Sequence, residues 1–192
     1  MLRLSFVTGT EPGKWFSRYR QGTDHGLREI GHDDPFALLE QGECDLALMR
    51  LPDARVDDRH HVVVLYDEAA GVAVPKESVY AIADERLTPA DLEGEIENFR
   101  WSQGASISEL RESLRVVAAN VGVAFAPKPL LKMLAKKQVA VRDADGDATH
   151  IALVWRREAD GDPIQDFVGV AKGRTPRSSR SSPRTGGRRG RR

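Results

Sequence analysis

PFALLEQGECDLALMRL, residues 35–51, is the stretch that decides the fold. Asp33 and Asp34 stand before it and Gly42 breaks it. Acids at the start and a glycine at the stop match the dipole of a short helix, so FALLEQG reads as one. CDLALMRL, residues 44–51, is then an apolar run broken only by Asp45 and Arg50, the length and character of a buried strand. Outward toward the N-terminus, LRLSFV (2–7) is apolar and β-prone and ends in the turn Thr8-Gly9-Thr10. Pro12 follows and opens the helix GKWFSRYR, where a missing N–H removes no bond. Residues 26–30 form a second strand. Outward toward the C-terminus, HVVVLY (61–66) is a fourth. Strand, helix, strand, helix, strand predicts a parallel sheet built by crossover units.

Further along, GVAVP (71–75) is a short strand. LTPADL (87–92) reads as one helical turn capped by Thr88 with Pro89 in first position. Residues 96–101 form another strand. Residues 106–120 read as a helix, because Ile107, Leu110, Leu114, Val117 and Ala118 recur at three- and four-residue spacing. Ser106 and Glu109 fit its capping box. VGVAFA (121–126) is a buried strand, PKPLLKMLAKK a helix, and residues 139–142 and 149–156 the last strands. DADGD (143–147) between them is a loop. DPIQDFVGVAKG closes the ordered body with Ile164, Phe167, Val168 and Ala171 on one helical face.

The 192 residues carry no net charge, with 29 basic and 29 acidic side chains, but the balance is uneven along the chain. Nine of the bases and none of the acids lie in residues 172–192, which leaves 20 bases against 29 acids before them. An acidic body and a basic tail are two physical objects. RTPRSSRSSPRTGGRRGRR (174–192) has no apolar residue able to offset ordering entropy, so it is expected to be disordered. Its Arg184, Arg188, Arg189, Arg191 and Arg192 are candidates for sequence-independent, salt-sensitive contact with nucleic acid; the alternative is a solubilising tail. No apolar run reaches the ~20 residues of a membrane span, and the N-terminal stretch is too short for a signal peptide, so a cytoplasmic location is expected. Cys44 is the only cysteine and reads as a small core residue.

Four segments together resemble the effector-binding domain of LysR-type transcriptional regulators. LRLSFVTGTEPGKW gives the opening strand, turn and helix. Gly42, Asp45, Leu46, Ala47 and Leu48 match the family's "gxxDlal". VVVLYDEAAGVAVPKE resembles its hinge. Val117, Ala118, Ala119, Gly122 and Pro127 match "lVaaGlGialLP", with Asn120 where the first glycine is usual. The likeness covers residues 2–172 and starts without the family's helix-turn-helix. The segment Gly169, Gly173, Arg174, Thr175, Ser178, Ser179 and Arg180 is similar to the end of a group of stand-alone substrate-binding-domain proteins. The resemblance implies an α/β, two-lobed periplasmic-binding-protein-like (type 2) fold, each lobe a small mixed sheet flanked by helices. Lobe I would comprise residues 1–66 and 149–172, lobe II residues 67–148, and residues 173–192 the tail. It also implies a homodimer and a small organic anion as ligand, with no cofactor.

In such a fold the ligand lies between the lobes, where strand ends and helix N-termini offer N–H groups to an anion. Thr8, Gly9 and Thr10 are expected there from the first strand, Met49 and Arg50 from the third, and Trp101, Ser102 and Ser106 from the second lobe. Arg50 has two readings: a guanidinium clamp for a carboxylate, or a surface arginine paired with Asp53 or Asp58. Trp15, Phe16, Tyr19 and Trp155 read as core. His60 and His61 alternate across a strand and hold no metal together. The DADGD stretch lacks the downstream glutamate of a calcium loop. No serine elbow, phosphate loop or Cys–His signature points to catalysis, so the chain is expected to be a binder and not an enzyme.

Overall fold

The computed structural model describes residues 1–82 and 85–173. The chain runs β1 (Leu2–Val7), α1 (Gly13–Gly22), β2 (Leu27–His32), α2 (Pro35–Glu40), β3 (Leu46–Leu51) and β4 (His60–Glu68), then β5 (Ala70–Val74) and β6 (Glu97–Arg100). It continues with α3 (Ile107–Ala118), β7 (Val123–Pro127), α4 (Lys128–Ala135), β8 (Ala140–Asp143), β9 (Thr149–Arg156) and α5 (Asp162–Ala171). Two sheets result: β2-β1-β3-β9-β4 in lobe I and β6-β7-β5-β8 in lobe II. The parallel crossovers foreseen from the sequence are present as β1/β2 and β1/β3. β9 then enters antiparallel to both β3 and β4, and makes the first sheet mixed.

β3 shows why residues 44–51 are almost continuously apolar. Leu46 and Leu48 face α1 and α5, whose Phe16, Tyr19, Ile164 and Phe167 belong to the same core. Ala47 and Met49 face the opposite way, onto Phe36 and Leu39 of α2. A central strand covered on both faces has no polar side to alternate with. Asp45, just before β3, accepts from the backbone N–H of Arg3 at 2.9 Å and pairs with the Arg3 guanidinium at 2.5 Å. That carboxylate sets where the run joins β1. Buried Cys44 fills the α2 side, and burial pushes its thiol up to about 11.

The larger core does not stop at the lobe boundary. Phe16, Leu48 and Leu153 of lobe I belong to one cluster with Leu110, Leu114 and Leu130 of lobe II. Lobe II has only a small private core, centred on Val72, Val74 and Val123. Ser106 caps α3 by accepting from the Glu109 N–H, which is one half of the expected box. Asn120 (φ 70°) and Gly122 (φ 60°) both take the left-handed turn needed between α3 and β7. A Cβ at Gly122 would collide with the Ile96 carbonyl oxygen.

Residues 87–92 make the turn expected. Backbone bonds close it from Asp91 to Thr88, Leu92 to Pro89 and Glu93 to Ala90, and the Thr88 hydroxyl caps it by accepting from the Asp91 N–H at 3.4 Å. Leu87 forms a bridge with Ala144, and the Asp91 carboxylate accepts from both the N–H and the hydroxyl of Thr88. Thr88 and Asp91 thus satisfy each other's backbone N–H groups, as in a capping box, and the turn does not lengthen into a helix.

Candidate functional site

A cleft of about 930 Å³ opens between the lobes. Lobe I lines it with residues 33–35 and 49–55, at the carboxyl ends of β2 and β3. Lobe II lines it with residues 100–108 and 125–127, and the connections at 70–71 and 145–149 form its floor. Of the eight residues expected at the site, Met49, Arg50, Trp101, Ser102 and Ser106 line the cleft, whereas Thr8, Gly9 and Thr10 do not.

The lobe II wall is open. After β6, the Trp101 N–H donates to the Phe125 carbonyl at 2.8 Å, and the Ala105 N–H closes a turn on the Ser102 carbonyl at 3.0 Å. The turn leaves Ser102 and Gln103 exposed, and their side chains make no hydrogen bond among the described residues. Ser106 then starts α3, whose first-turn N–H groups at Ile107 and Ser108 lack intrahelical partners by construction. Both of those residues line the cleft, so the positive end of a twelve-residue helix points into it.

The lobe I wall is closed. Thr10 is buried and its hydroxyl donates to the Val7 carbonyl at 2.7 Å. The Thr8 hydroxyl donates to Asp33 at 2.6 Å. Gly9 (φ 95°) presses against α4 of lobe II: its N–H donates to Met133 Sδ at 3.1 Å, and a Cβ there would lie 3.1 Å from Leu130 Cα. The loop is a contact between lobes.

Arg50 pairs with neither Asp53 nor Asp58. It is buried, and donates from Nε and Nη2 to the two oxygens of Glu68 at 2.7 and 3.0 Å. Nη1 donates to the Thr8 carbonyl at 2.7 Å, and Thr149 donates to Glu68 at 2.9 Å. The guanidinium carbon lies 5.9 Å from the Trp101 ring centre. A buried, bidentate pair of this kind is held rigidly, and losing one partner would strand the other charge. Asp53 is engaged elsewhere, because surface Arg55 reaches it more easily than the buried guanidinium does. The sequence reading missed Glu68, whose only local signal was an acid at the end of an apolar strand.

The other arginines of the cleft are also paired. Arg55 binds Asp34 at 2.8 Å and Asp53 at 2.6 Å, and sits 4.9 Å over Phe36. Arg100 pairs with Glu97 at 2.5 Å and lies 4.1 Å over Phe125. Across the cleft, Arg111 of α3 holds Asp33 of lobe I by a two-pronged pair at 2.5 and 2.9 Å. The Arg111 hydrogen bond keeps the Asp33 carboxyl below its usual range, with Thr8 adding to the effect. The lining thus holds five aspartates (33, 34, 53, 145 and 147) and three arginines (50, 55 and 100), each arginine already matched to a carboxylate. Among the described residues no group of His, Cys, Asp or Glu is arranged to hold a metal ion, and no helix is long and apolar enough to cross a membrane. The tail arginines 184, 188, 189, 191 and 192 lie outside the described residues.

No family model and no curated protein matches the chain. Solved structures do. The effector-binding domain of BenM with its effector benzoate is 17% identical, with a TM-score of 0.67 over 95% of each chain. A reduced form of OxyR from N. meningitidis is 18% identical, with a TM-score of 0.62 over 93% of this chain and 95% of that one. The sulfate-bound regulatory domain of an OxyR2 mutant from Vibrio vulnificus is 18% identical, with a TM-score of 0.59 over 89% and 92%. These likenesses, together with the two mixed sheets and the cleft between them, give the chain the two-lobed fold of LysR-type effector-binding domains.

Proposed function

We propose that this chain is a ligand-sensing domain for transcription regulation that binds an organic carboxylate in the cleft, at the amino end of α3, and performs no chemistry on it. The observation that carries the reading is the open loop of residues 102–106. Two unengaged side chains, Ser102 and Gln103, stand beside the unsatisfied N–H groups of a helix start, all lining one cleft. Such an end holds an anion through N–H donation and the helix dipole without a counter-ion. Apolar lining at Met49, Trp101 and Phe125 suits the body of the ligand.

The pairing of every cleft arginine narrows the class. Five aspartates beside three matched arginines would repel a second negative charge, so a monocarboxylate fits better than a di- or tricarboxylate. Arg50 and residues 8–10 shape and stiffen the opposite wall in this reading. A homodimer is the expected assembly, and the BenM domain, whose effector is benzoate, suggests a first probe.

Thermal shift and calorimetric titration against aliphatic and aromatic monocarboxylates, benzoate included, test the proposal beside their dicarboxylate counterparts. Saturable binding to a monocarboxylate, weakened in a Ser102→Ala/Gln103→Ala variant that melts like the parent, is the expected result. Binding unaffected by that variant, or no binding across the panel, overturns it.

A further inference from the structure

The charges around the cleft do not come out even. Arg50 is matched to Glu68, Arg100 to Glu97, Arg111 to Asp33 and Arg86 to Asp145, each one to one. Arg55 alone serves two carboxylates, Asp34 at 2.8 Å and Asp53 at 2.6 Å. Burial works against the charge on both aspartates. Hydrogen bonds from the Arg55 side chain and from the backbone N–H groups of Ala37 and Arg55 hold both below the usual carboxyl range all the same. Both are therefore ionised at neutral pH, and one guanidinium neutralises only one of them. Asp147 is exposed on the connection that floors the cleft, and it pairs with nothing among the described residues. Two negative charges are thus unmatched, one on the lobe I wall and one on the floor. The positive end of α3, on the lobe II wall, lines the same cavity.

We propose that the ligand of this cleft is an amino carboxylate, whose ammonium is received by Asp147 in the field of the Asp34–Arg55–Asp53 group while its carboxylate takes the α3 start. This rests on the carboxylate site proposed above and adds a second charge to its ligand. An ammonium carries three donors and no acceptor, and Asp147 offers two carboxylate oxygens that no described donor uses. Charge-assisted bonds of that kind are about twice as strong as neutral ones. A plain monocarboxylate meets the two unmatched charges as repulsion alone. A zwitterion meets them as attraction at its far end, and a cleft with low-dielectric walls focuses that field. The cavity thus orders its candidates by charge: dicarboxylates worst, plain carboxylates between, amino carboxylates best. A simple amine would keep Asp147 but leave the helix start without an anion. The two ends of the ligand would be held from different walls, the carboxylate from lobe II and the ammonium from the floor and lobe I.

Calorimetric titration of the full chain with matched sets of short straight-chain compounds reads the outcome. Each set holds the α-amino carboxylate, the ω-amino carboxylate, the plain carboxylate and the plain amine of one chain length. At least one amino carboxylate is expected to bind about 10-fold or more tighter than the carboxylate and the amine of its set. Added salt should shrink that margin. Asp147→Asn should remove most of it and Asp53→Asn a smaller part, while plain carboxylates bind as before or more tightly. Asp58→Asn, outside the cleft, should change nothing. Asp147 is exposed, and Asp53→Asn leaves Asp34 to Arg55, so both variants should melt like the parent. Plain carboxylates that bind as tightly as every amino counterpart overturn the ammonium and leave the carboxylate site standing. A margin untouched in the Asp147→Asn/Asp53→Asn double variant does the same. Amines that bind as tightly as the amino carboxylates overturn the carboxylate at the helix start, and the zwitterion with it.

Discussion

Two short loops in this molecule look alike on paper. Thr8-Gly9-Thr10 follows β1, Ser102-Gln103-Gly104 follows β6, and each leads from a strand toward a helix with small polar residues and a glycine of positive φ. In the first, both hydroxyls are engaged, on Val7 and Asp33, and the glycine is pressed between Arg50 and Leu130. In the second, the side chains are unengaged, and a Cβ at Gly104 would meet nothing within 4 Å. What differs is the neighbour. α4 of lobe II packs on the first loop, and the cleft lies over the second. Composition marks both loops as candidate binding segments; packing engages the first and leaves the second open to the cleft.

Undoing what holds the first loop should have the largest effect. Glu68→Ala strands the Arg50 guanidinium in the interior and should cost about 3–5 kcal/mol in urea or thermal unfolding. Replacing both partners, as Arg50→Met with Glu68→Leu, should recover most of that loss; if it does not, the loop is held by something other than the ion pair. Next comes Gly9→Ala, expected to cost about 2–3 kcal/mol, since an L residue is strained at φ 95° and its Cβ would lie 2.5 Å from Arg50 Nη2. Gly104→Ala meets only the backbone term, and should cost about 1 kcal/mol. Equal losses at the two glycines would mean that the two loops are held alike.

Smallest is the contact across the mouth. Asp33→Asn removes a half-exposed pair, so about 1 kcal/mol or less is expected at neutral pH, and less in high salt. The sign with pH follows from the direction of the shift. Arg111 holds the folded carboxyl below its unfolded value of about 3.9, so the contribution is whole above about pH 4 and lost as pH falls through the folded value. The parent should therefore lose stability on the acid side faster than Asp33→Asn does. Parallel acid limbs in the two melting profiles would show that the pair adds nothing.

Much of the architecture could be read from local pattern. The run at 44–51 announced a buried strand, and Ser106 announced the start of α3. These features are decided by residues close in sequence. The partner of Arg50 was not legible, because Glu68 reaches it only after β4 has crossed the sheet on the far side of β9. Nor was the close packing of Gly9, which rests on Leu130 and Met133 of a helix more than a hundred residues away. At 87–92 the local signal sufficed for the capped turn, because Thr88 and Asp91 bond each other's backbone three residues apart.

The core shared by the lobes has a mechanical consequence. Two shells with separate cores swing apart on their connecting strands alone, whereas here Leu48 of lobe I and Leu110 and Leu130 of lobe II belong to one core cluster. Breathing of the cleft would also pull on the contacts of Gly9 with Leu130 and Met133 and of Asp33 with Arg111. Heat should accordingly dissolve the body in a single cooperative step, and a bound ligand should raise the temperature of the whole step instead of splitting it. A ligand bound in the cleft as proposed would then be felt throughout the body at once, carried by a common interior.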